Sequence, residues 1–397
     1  MTDPLELLET GRCTSRLTEP QSRALEASKF VTLTPPRPGG DEWTIAGNRG
    51  WVGVFWAADL QVRLVPKLGI ARLLFLAGHG VRASDQWYDE PAAMRTDEGV
   101  VPAVANMLWR QARRALDTNL LSGYVPATET STTIRGKVRL TDQLRRNYDR
   151  EFPFEIGYDD FSVDIPENRI LLAATTLLLE TKGLDATSAD RLNAVRRTLN
   201  GVSPLVRNAP LPPWHPTPRN AHYHSVLRLS ELLLEASSPE HGQGGFATNG
   251  FIFNVEKVFE SFVTEAVDTA LKDRIPGRGF PQYPWHLDEG RELKMNPDLV
   301  WQIDGRPAVV VDAKYKQKQP ADDFYQLLAY CAALDVGHGH LVYASGKPGE
   351  VRHRARGGRY ELYAHTLDLT CPRAELLAQI DRIADRIAEL SGAAGVR

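Results

Sequence analysis

The sequence predicts a multidomain α/β (α+β) protein with a mixed N-terminal part, a helical connector and a C-terminal part of strands and helices. Three observations predict it. At 397 residues the chain exceeds one ordinary domain. Its hydrophobic spacing changes from short strand-like runs to helical periodicity near Ile165, and beyond about Gly250 an amphipathic helix precedes a hairpin signal and a further helix.

Composition narrows the class. Hydrophobic residues at 42% and charged residues at 24% suit a globular protein, and 8 Trp with 13 Phe supply anchors for large cores. The three cysteines, Cys13, Cys331 and Cys371, show no CxxC spacing, which argues against a disulfide framework or structural zinc and suits a reducing cytoplasm. The start, MTDPLELLETGRC, has no basic segment followed by an apolar run, and stretches such as Ile170 to Leu179 are too short to span a bilayer. Neither export nor membrane insertion is expected. A net charge of −3 gives no overall cationic field for nucleic acid, so any DNA must be held by local patches or a partner. Lys347 to Arg359 is one such patch, with five Lys and Arg against Glu350 alone. It reads equally as phosphate contact or as an edge strand guarded by charge.

In chain order, Val52 to Phe55 and Gln61 to Val65 are strand-like runs around a turn at Ala58-Asp59. Val104, Leu108, Ala112 and Leu116 give Val101 to Leu121 a helical spacing. Ser131 to Arg150 carries six basic residues against two acids, a solvated face or a partner surface. A helix from Pro166, with Ile170, Leu171, Ala174, Leu177 and Leu178 on its apolar face, should cap at Gly183, and a second through Leu192, Val195 and Leu199 should end at Gly201. Ser203 to Asn220 is too rich in proline for helix or central strand. Another helix follows over Ala221 to Ala236, and Ser237 to Gly250 reads as a loop.

The chemistry concentrates in the last 150 residues. Phe253 to Leu271 reads as an amphipathic helix capped by Asn254. Glu256 lies in its first turn, where a negative charge complements the helix dipole. Glu260 lies a turn further in, between Phe259 and Phe262, without that explanation. Asn296 to Lys316 then places two strand-like runs around Asp304-Gly305-Arg306-Pro307. With a three-residue loop over Asp304 to Arg306, residues whose numbers sum to 610 pair across the hairpin. Asp298 then faces Asp312 at roughly 5 Å between side chains. Strand alternation puts Lys314 on the Asp312 face and turns Val309, Val311 and Ala313 toward a core. Two carboxylates so placed repel each other unless a divalent cation lies between them, and a hard cation such as Mg²⁺ takes oxygen ligands. With an ammonium beside it, the set suits phosphodiester hydrolysis. An isolated Asp-x-Lys is common by chance; the upstream helix acid, Pro-Asp, turn and VVV run make this one specific. On the next helix, Ala321 to Leu334, Gln326 and Tyr330 share a face, and a strand over His340 to Tyr343 should follow.

The pattern Glu260, Pro297-Asp298, Asp312-Ala313-Lys314 resembles the PD-(D/E)xK nucleases, whose common core is a mixed sheet flanked by helices, and Gln326 with Tyr330 resembles the QxxxY helix of the RecB-like branch. More of the chain is similar to the McrC family, the nuclease subunits of McrBC-type modification-dependent (type IV) restriction systems. The matching stretches are LVPKLGIARLLFLA from Leu64, IRGKVRLTDQLRRN from Ile134, DIPENRILLAA from Asp164, RNAHYHSVLRLSELLL from Arg219 and GFIFNVEKVFESFV from Gly250. The resemblance implies residues 1–160 as a domain binding an AAA+ GTPase, 161–245 as a helical connector and 246–397 as a restriction-endonuclease-like domain. It implies Asp298, Asp312, Lys314, Glu260 and Gln326 as catalytic residues and Asp298, Asp312 and Glu260 as ligands of Mg²⁺, for which Mn²⁺ can substitute. The implied partners are a McrB-like AAA+ GTPase hexamer and methylated double-stranded DNA. The chain carries no GxxxxGK[ST] loop, and SGKPG at Ser345 lacks the spacing, so nucleotide hydrolysis falls to another chain. Two alternatives remain: a stand-alone RecB-like repair or antiphage nuclease, and a catalytically silent adaptor activating a motor. Metal binding by His222 and His224 is disfavoured, because i and i+2 side chains on a helix diverge by about 200°.

Overall fold

A computed structural model describes residues 4–67, 72, 73, 76, 100–148, 150, 152–206, 209–237, 250–316, 318–344 and 347–392. The expected loop from Ser237 to Gly250 lies, except for its ends, outside the described residues, as do Ser345 and Gly346. The fold is mixed α/β with several mixed sheets, and nine α-helices occur among the described residues. It divides into two compact units, Val104–Ser238 and the remainder, Met1–Ala103 with Pro239–Arg397. Among the described residues no helix is long and apolar enough to cross a membrane, and the three cysteines are free.

The N-terminal strands are β1 (Leu5–Leu8), β2 (Arg12–Arg16), β3 (Val31–Thr34), β4 (Glu42–Gly47), β5 (Trp51–Ala57) and β6 (Leu60–Val65), with helix α1 (Glu19–Ala27) after β2. The predicted pair around Ala58-Asp59 is β5 and β6. β2, β4 and β3 form one antiparallel sheet. Leu25, Phe30, Ile45, Phe55, Val62 and Leu64 share a buried core between these elements.

The middle unit holds most of α2 (Val100–Thr118) and a sheet of β7 (Gly123–Ser131), β8 (Lys137–Val138) and β9 (Phe154–Ser162), with α3 (Leu140–Arg146) between β8 and β9. Its helices are α4 (Pro166–Glu180), α5 (Ala186–Thr198) and α6 (His224–Ala236). All three differ from expectation at their ends: α5 stops at Thr198, its cap Leu199 lying two residues before Gly201. α4 stops at Glu180, its cap Thr181 lying two residues before Gly183, and the segment expected to begin a helix at Ala221 is a 3₁₀ turn, Pro218–Tyr223, leading into α6. The proline at the start of that turn fits a tight first turn.

β10 (Phe251–Asn254) opens the C-terminal part and corrects the reading that Phe253 is helical. It pairs antiparallel with β5, completing the sheet β1-β6-β5-β10. The approach is so close that a Cβ on Gly53 would lie 2.2 Å from the Phe251 carbonyl oxygen, and Gly53 has φ +138°, so only glycine fits. This pairing fuses the N-terminal strands to the C-terminal part within one compact unit. Helix α7 (Val255–Lys272) follows at once, with the Asn254 side chain accepting from Lys257 N at 3.1 Å. Asn254→Ala is expected to cost about 1 kcal/mol of stability. Denaturant unfolding would measure it, and an unchanged midpoint would remove the cap from the account of α7.

The C-terminal sheet contains β11 (Arg278–Pro281), β14 (Leu299–Ile303), β15 (Arg306–Lys314), β16 (His338–Ala344), β17 (Gly349–Arg354) and β18 (Glu361–Leu367), in the order β11-β14-β15-β16-β18-β17. β12 (Trp285–His286) and β13 (Lys294–Met295) form a small hairpin between β11 and β14. β15, β16 and β18 run parallel; β11, β14 and β17 are antiparallel to their neighbours. The parallel step from β15 to β16 needs a crossover, supplied by α8 (Ala321–Leu334). Leu327, Tyr330, Cys331 and Leu334 of α8 pack against Val300, Val310, Leu341, Tyr343, Leu362 and Ala364. α9 (Arg373–Leu390) packs on α7 and on β18, where Arg386 covers Tyr363 on the other face of the sheet.

Candidate phosphodiesterase centre

The hairpin of β14 and β15 turns on two residues, Asp304 and Gly305, both at positive φ (+51° and +76°), rather than on the three expected. Ile303 pairs with Arg306 and Gln302 with Pro307, and a bulge then restores Trp301↔Val309, Val300↔Val310 and Leu299↔Val311. The register expected to align Asp298 with Asp312 is thus reached by a tighter turn and one extra residue. Val309, Val311 and Ala313 are buried, as expected, and alternation places Asp312 and Lys314 on the Val310 face, toward α8.

Asp298, 7% exposed, sits just before β14 and is held by three contacts. Its Oδ2 accepts from Ala313 N at 2.8 Å, its Oδ1 accepts from Gln282 Nε2 at 2.8 Å, and its carbonyl accepts from Gln282 N at 2.9 Å. Each carboxylate oxygen retains a further lone pair. Asp312 is 2% exposed. Lys314 Nζ lies 2.5 Å from its Oδ2 as an ion pair. Burial, then the Asp298 charge, pushes the Asp312 acid up to about 6. Burial works to lower the Lys314 pKa, but the charge and contact of Asp312 outweigh it, and the ammonium is held above its ordinary value.

Glu260 reaches this group from α7. Burial, then the charges of Asp298 and Asp312 against a partial offset by Lys314, pushes it up to about 7. Gln326 donates from Nε2 to the Tyr330 hydroxyl at 2.8 Å, and Tyr330 is raised by burial and by the charges of Asp312 and Asp298. The QxxxY pair therefore meets the acids through tyrosine. Five side chains chosen from the sequence thus share one electrostatic neighbourhood. They do not form a closed ligand cage: among the described residues no three His, Cys, Asp or Glu side chains are gathered as a metal-binding set.

Two residues escaped the sequence reading. Gln282, held at φ +47°, fixes Asp298 and lies in a loop without a motif. Buried Asp323 accepts from Lys316 Nζ at 2.7 Å and from the Tyr343 hydroxyl at 3.0 Å, and its charge reaches Asp312 and Lys314. At the start of a helix it reads as an ordinary dipole charge. Elsewhere, His224 Nε2 is hydrogen-bonded to Asn220 Oδ1 at 2.7 Å, and His222 packs edge-on against Tyr223. Within Lys347 to Arg359, β17 is an exposed edge strand whose Arg352 pairs with Glu361, while Arg359 pairs with Asp335.

Comparison with known proteins gives this geometry its family. A match to the McrBC 5-methylcytosine restriction system component family covers residues 48–344. Among solved structures, the refined half-complex from a tetradecameric assembly of Thermococcus gammatolerans McrB AAA+ hexamers with bound McrC contains a similar chain, with 16% identity and a TM-score of 0.55, over 97% of this chain and 100% of that one. A chain of the cryo-EM structure of the Thermococcus gammatolerans McrBC complex matches at 16% identity over 68% of this chain and 88% of its own, with a TM-score of 0.41. No curated protein matches. The family match spans well over half of the sequence, and the chain belongs to the McrBC 5-methylcytosine restriction system components.

Proposed function

We propose that this chain is the DNA endonuclease subunit of a GTP-dependent, modification-dependent restriction complex. In this reading it hydrolyses phosphodiester bonds with Mg²⁺ in a restriction-endonuclease-like C-terminal domain and stimulates a partner AAA+ GTPase. The observation that carries the reading is the meeting of buried Asp298 and Asp312 with protonated Lys314 at the end of one hairpin, with Glu260 in the same field. Residues 1–160 would dock a McrB-like hexamer, 161–245 connect and 246–397 cut methylated double-stranded DNA. The assembly of McrB hexamers with McrC in the similar structure supports the choice of partner.

The residues suit a hydrated hard cation better than a closed cage. Asp312, Asp298 and Glu260 supply carboxylate oxygens, those of Asp298 each with a lone pair left over, while Mg²⁺ retains several waters and needs only one or two carboxylates. Bound there, it would supply positive charge to the phosphodiester transition state. Lys314 would add a fixed ammonium to orient the phosphate or the attacking water, and Gln282 would keep Asp298 turned inward. Metal ligands must lose their protons. Because Asp312 is pushed up to about 6 and Glu260 to about 7, Mg²⁺ binding is expected to release protons and to tighten about 20-fold from pH 6 to pH 8. Calorimetry in buffers of different ionisation enthalpy reads both quantities, and a pH-independent affinity without proton release would remove these acids from the metal site.

The direct test is cleavage of methylated and unmethylated DNA by the purified chain, with and without a McrB-type GTPase, GTP and Mg²⁺. Cutting of methylated DNA that requires all three is expected. Cutting without the GTPase would make the chain a stand-alone nuclease, and no cutting under any condition would leave only an adaptor.

A further inference from the structure

Tyr315 follows Lys314 where β15 ends, and the chain turns sharply there, with Lys316 N donating to the Lys314 carbonyl at 2.8 Å. A strand end without ladder bonds can pivot, but this one is gripped from the N-terminal strands. Arg49, between β4 and β5, donates from Nη2 to the Tyr315 carbonyl. Its Nε faces Glu256 Oε1, on the first turn of α7, at 3.5 Å. The Tyr315 hydroxyl donates to Glu9 Oε2 at 3.3 Å, and its ring lies 6.0 Å from that of Phe259, the neighbour of Glu260.

Glu9 is 3% exposed, and a carboxylate at that depth is costly unless its oxygens are satisfied. One oxygen takes the Tyr315 hydroxyl; the other accepts from Gly50 N at 3.4 Å, beside Arg49. The Gly50 carbonyl accepts in turn from Val255 N at 2.8 Å, at the head of α7. The β4–β5 turn therefore touches both chain segments that carry the candidate cleavage groups: the one with Lys314 and the one with Glu260. Displacements of about 1 Å at such groups can cost on the order of 100-fold in rate.

We infer that Arg49 and Glu9 are positioning residues for strand cleavage, setting Lys314 and Glu260 through Tyr315 and the start of α7. The inference rests on the nuclease reading above. It gives the N-terminal strands a second purpose: with β5 paired to β10, a shift of these strands reaches both cleavage groups together.

The test uses the full chain with a McrB-type GTPase, GTP, Mg²⁺ and methylated DNA, comparing wild type with Arg49→Gln, Arg49→Lys, Tyr315→Phe and Lys314→Met. Arg49→Gln is expected to lower kcat by about 10- to 100-fold, with KM for DNA, GTPase stimulation and thermal midpoint unchanged. Tyr315→Phe is expected to lower kcat by about 3- to 10-fold with KM and GTPase stimulation unchanged, and, because buried Glu9 loses a donor, to lower the thermal midpoint while leaving the chain folded at the assay temperature. Arg49→Lys can still donate to the Tyr315 carbonyl and is expected to recover part of kcat. Wild-type kcat in Arg49→Gln and Tyr315→Phe, or a loss carried by KM or by unfolding, overturns the inference and leaves the nuclease reading standing. An inactive wild type, or Lys314→Met cutting as well as wild type, overturns the nuclease reading and the inference with it.

Discussion

Asp312→Asn and Lys314→Met are each expected to lower Mg²⁺-dependent cleavage of methylated DNA by at least about 1,000-fold, while partner binding and GTPase stimulation stay at wild-type levels. Asn keeps the size of the side chain and much of its hydrogen bonding but carries no charge. Met keeps the stem of Lys314 and removes the ammonium. Neither change opens a cavity, and the Asp312 and Lys314 side chains pair with each other, while the bonds from the N-terminal strands assigned to the partner fall on the neighbouring Tyr315. Burial and Asp298 push the Asp312 acid up to about 6, so its ionised form is disfavoured where it sits, and neutralising it relieves that repulsion. Its loss also leaves Lys314 without its ion pair; a thermal midpoint taken alongside separates loss of chemistry from loss of fold. Single-turnover cleavage alongside GTP hydrolysis measures the two effects separately, and undiminished cutting by either purified variant would discard the site.

How far the site could be read from sequence depended on whether each position is governed by local spacing. Strand alternation and a turn signal sufficed to align Asp298 with Asp312, although the turn proved one residue shorter and a bulge near Gln302 made up the difference. Such compensation is invisible in the pattern, because Asp304-Gly305-Arg306-Pro307 suits either loop. The helix Ala321 to Leu334 was legible to the residue, since an apolar stripe and its flanking breaks define it. By contrast, β10 was hidden at the start of an amphipathic helix, because FIFN extends the apolar spacing of α7 backwards. Only its partner β5, some 200 residues earlier, makes it a strand. The grips of Gln282 on Asp298 and of Arg49 on Tyr315 are likewise long-range, and no periodicity announces them. The chemical groups were thus readable, and the surroundings that hold them in place were not.

The acid sensitivity of the fold should depend on a histidine stack on the α9 face of the C-terminal sheet. His338 Nδ1 and His340 Nε2 are hydrogen-bonded at 2.9 Å, and His340 Nδ1 and His365 Nε2 at 3.0 Å. His340 lies stacked against both Tyr363 and His365, each 5.3 Å away. The surrounding charges are Glu350, 3.6 Å from His365 Nδ1, Arg386 of α9, 3.3 Å from Glu350, and Glu361 near His338. Burial, reinforced by Arg386, pushes His365 down to about 4, and burial with the neighbouring histidines holds His340 well below its ordinary value. In the unfolded chain each titrates near 6.5. Above that value neither state carries the proton. Between about 6.5 and 4 the unfolded chain binds protons that the fold refuses, so stability falls as pH drops through this window. For His365 alone the loss reaches on the order of 2–3 kcal/mol at pH 4.5, and His340 adds to it in the same direction. His365→Phe keeps an aromatic ring in the stack and removes one titrating group. The stability difference between pH 7.5 and pH 4.5, measured by denaturant unfolding, is therefore expected to shrink by on the order of 2–3 kcal/mol in this variant. An unchanged difference would mean that His365 takes up its proton as readily in the fold as in the open chain, and that acid loosens the sheet elsewhere.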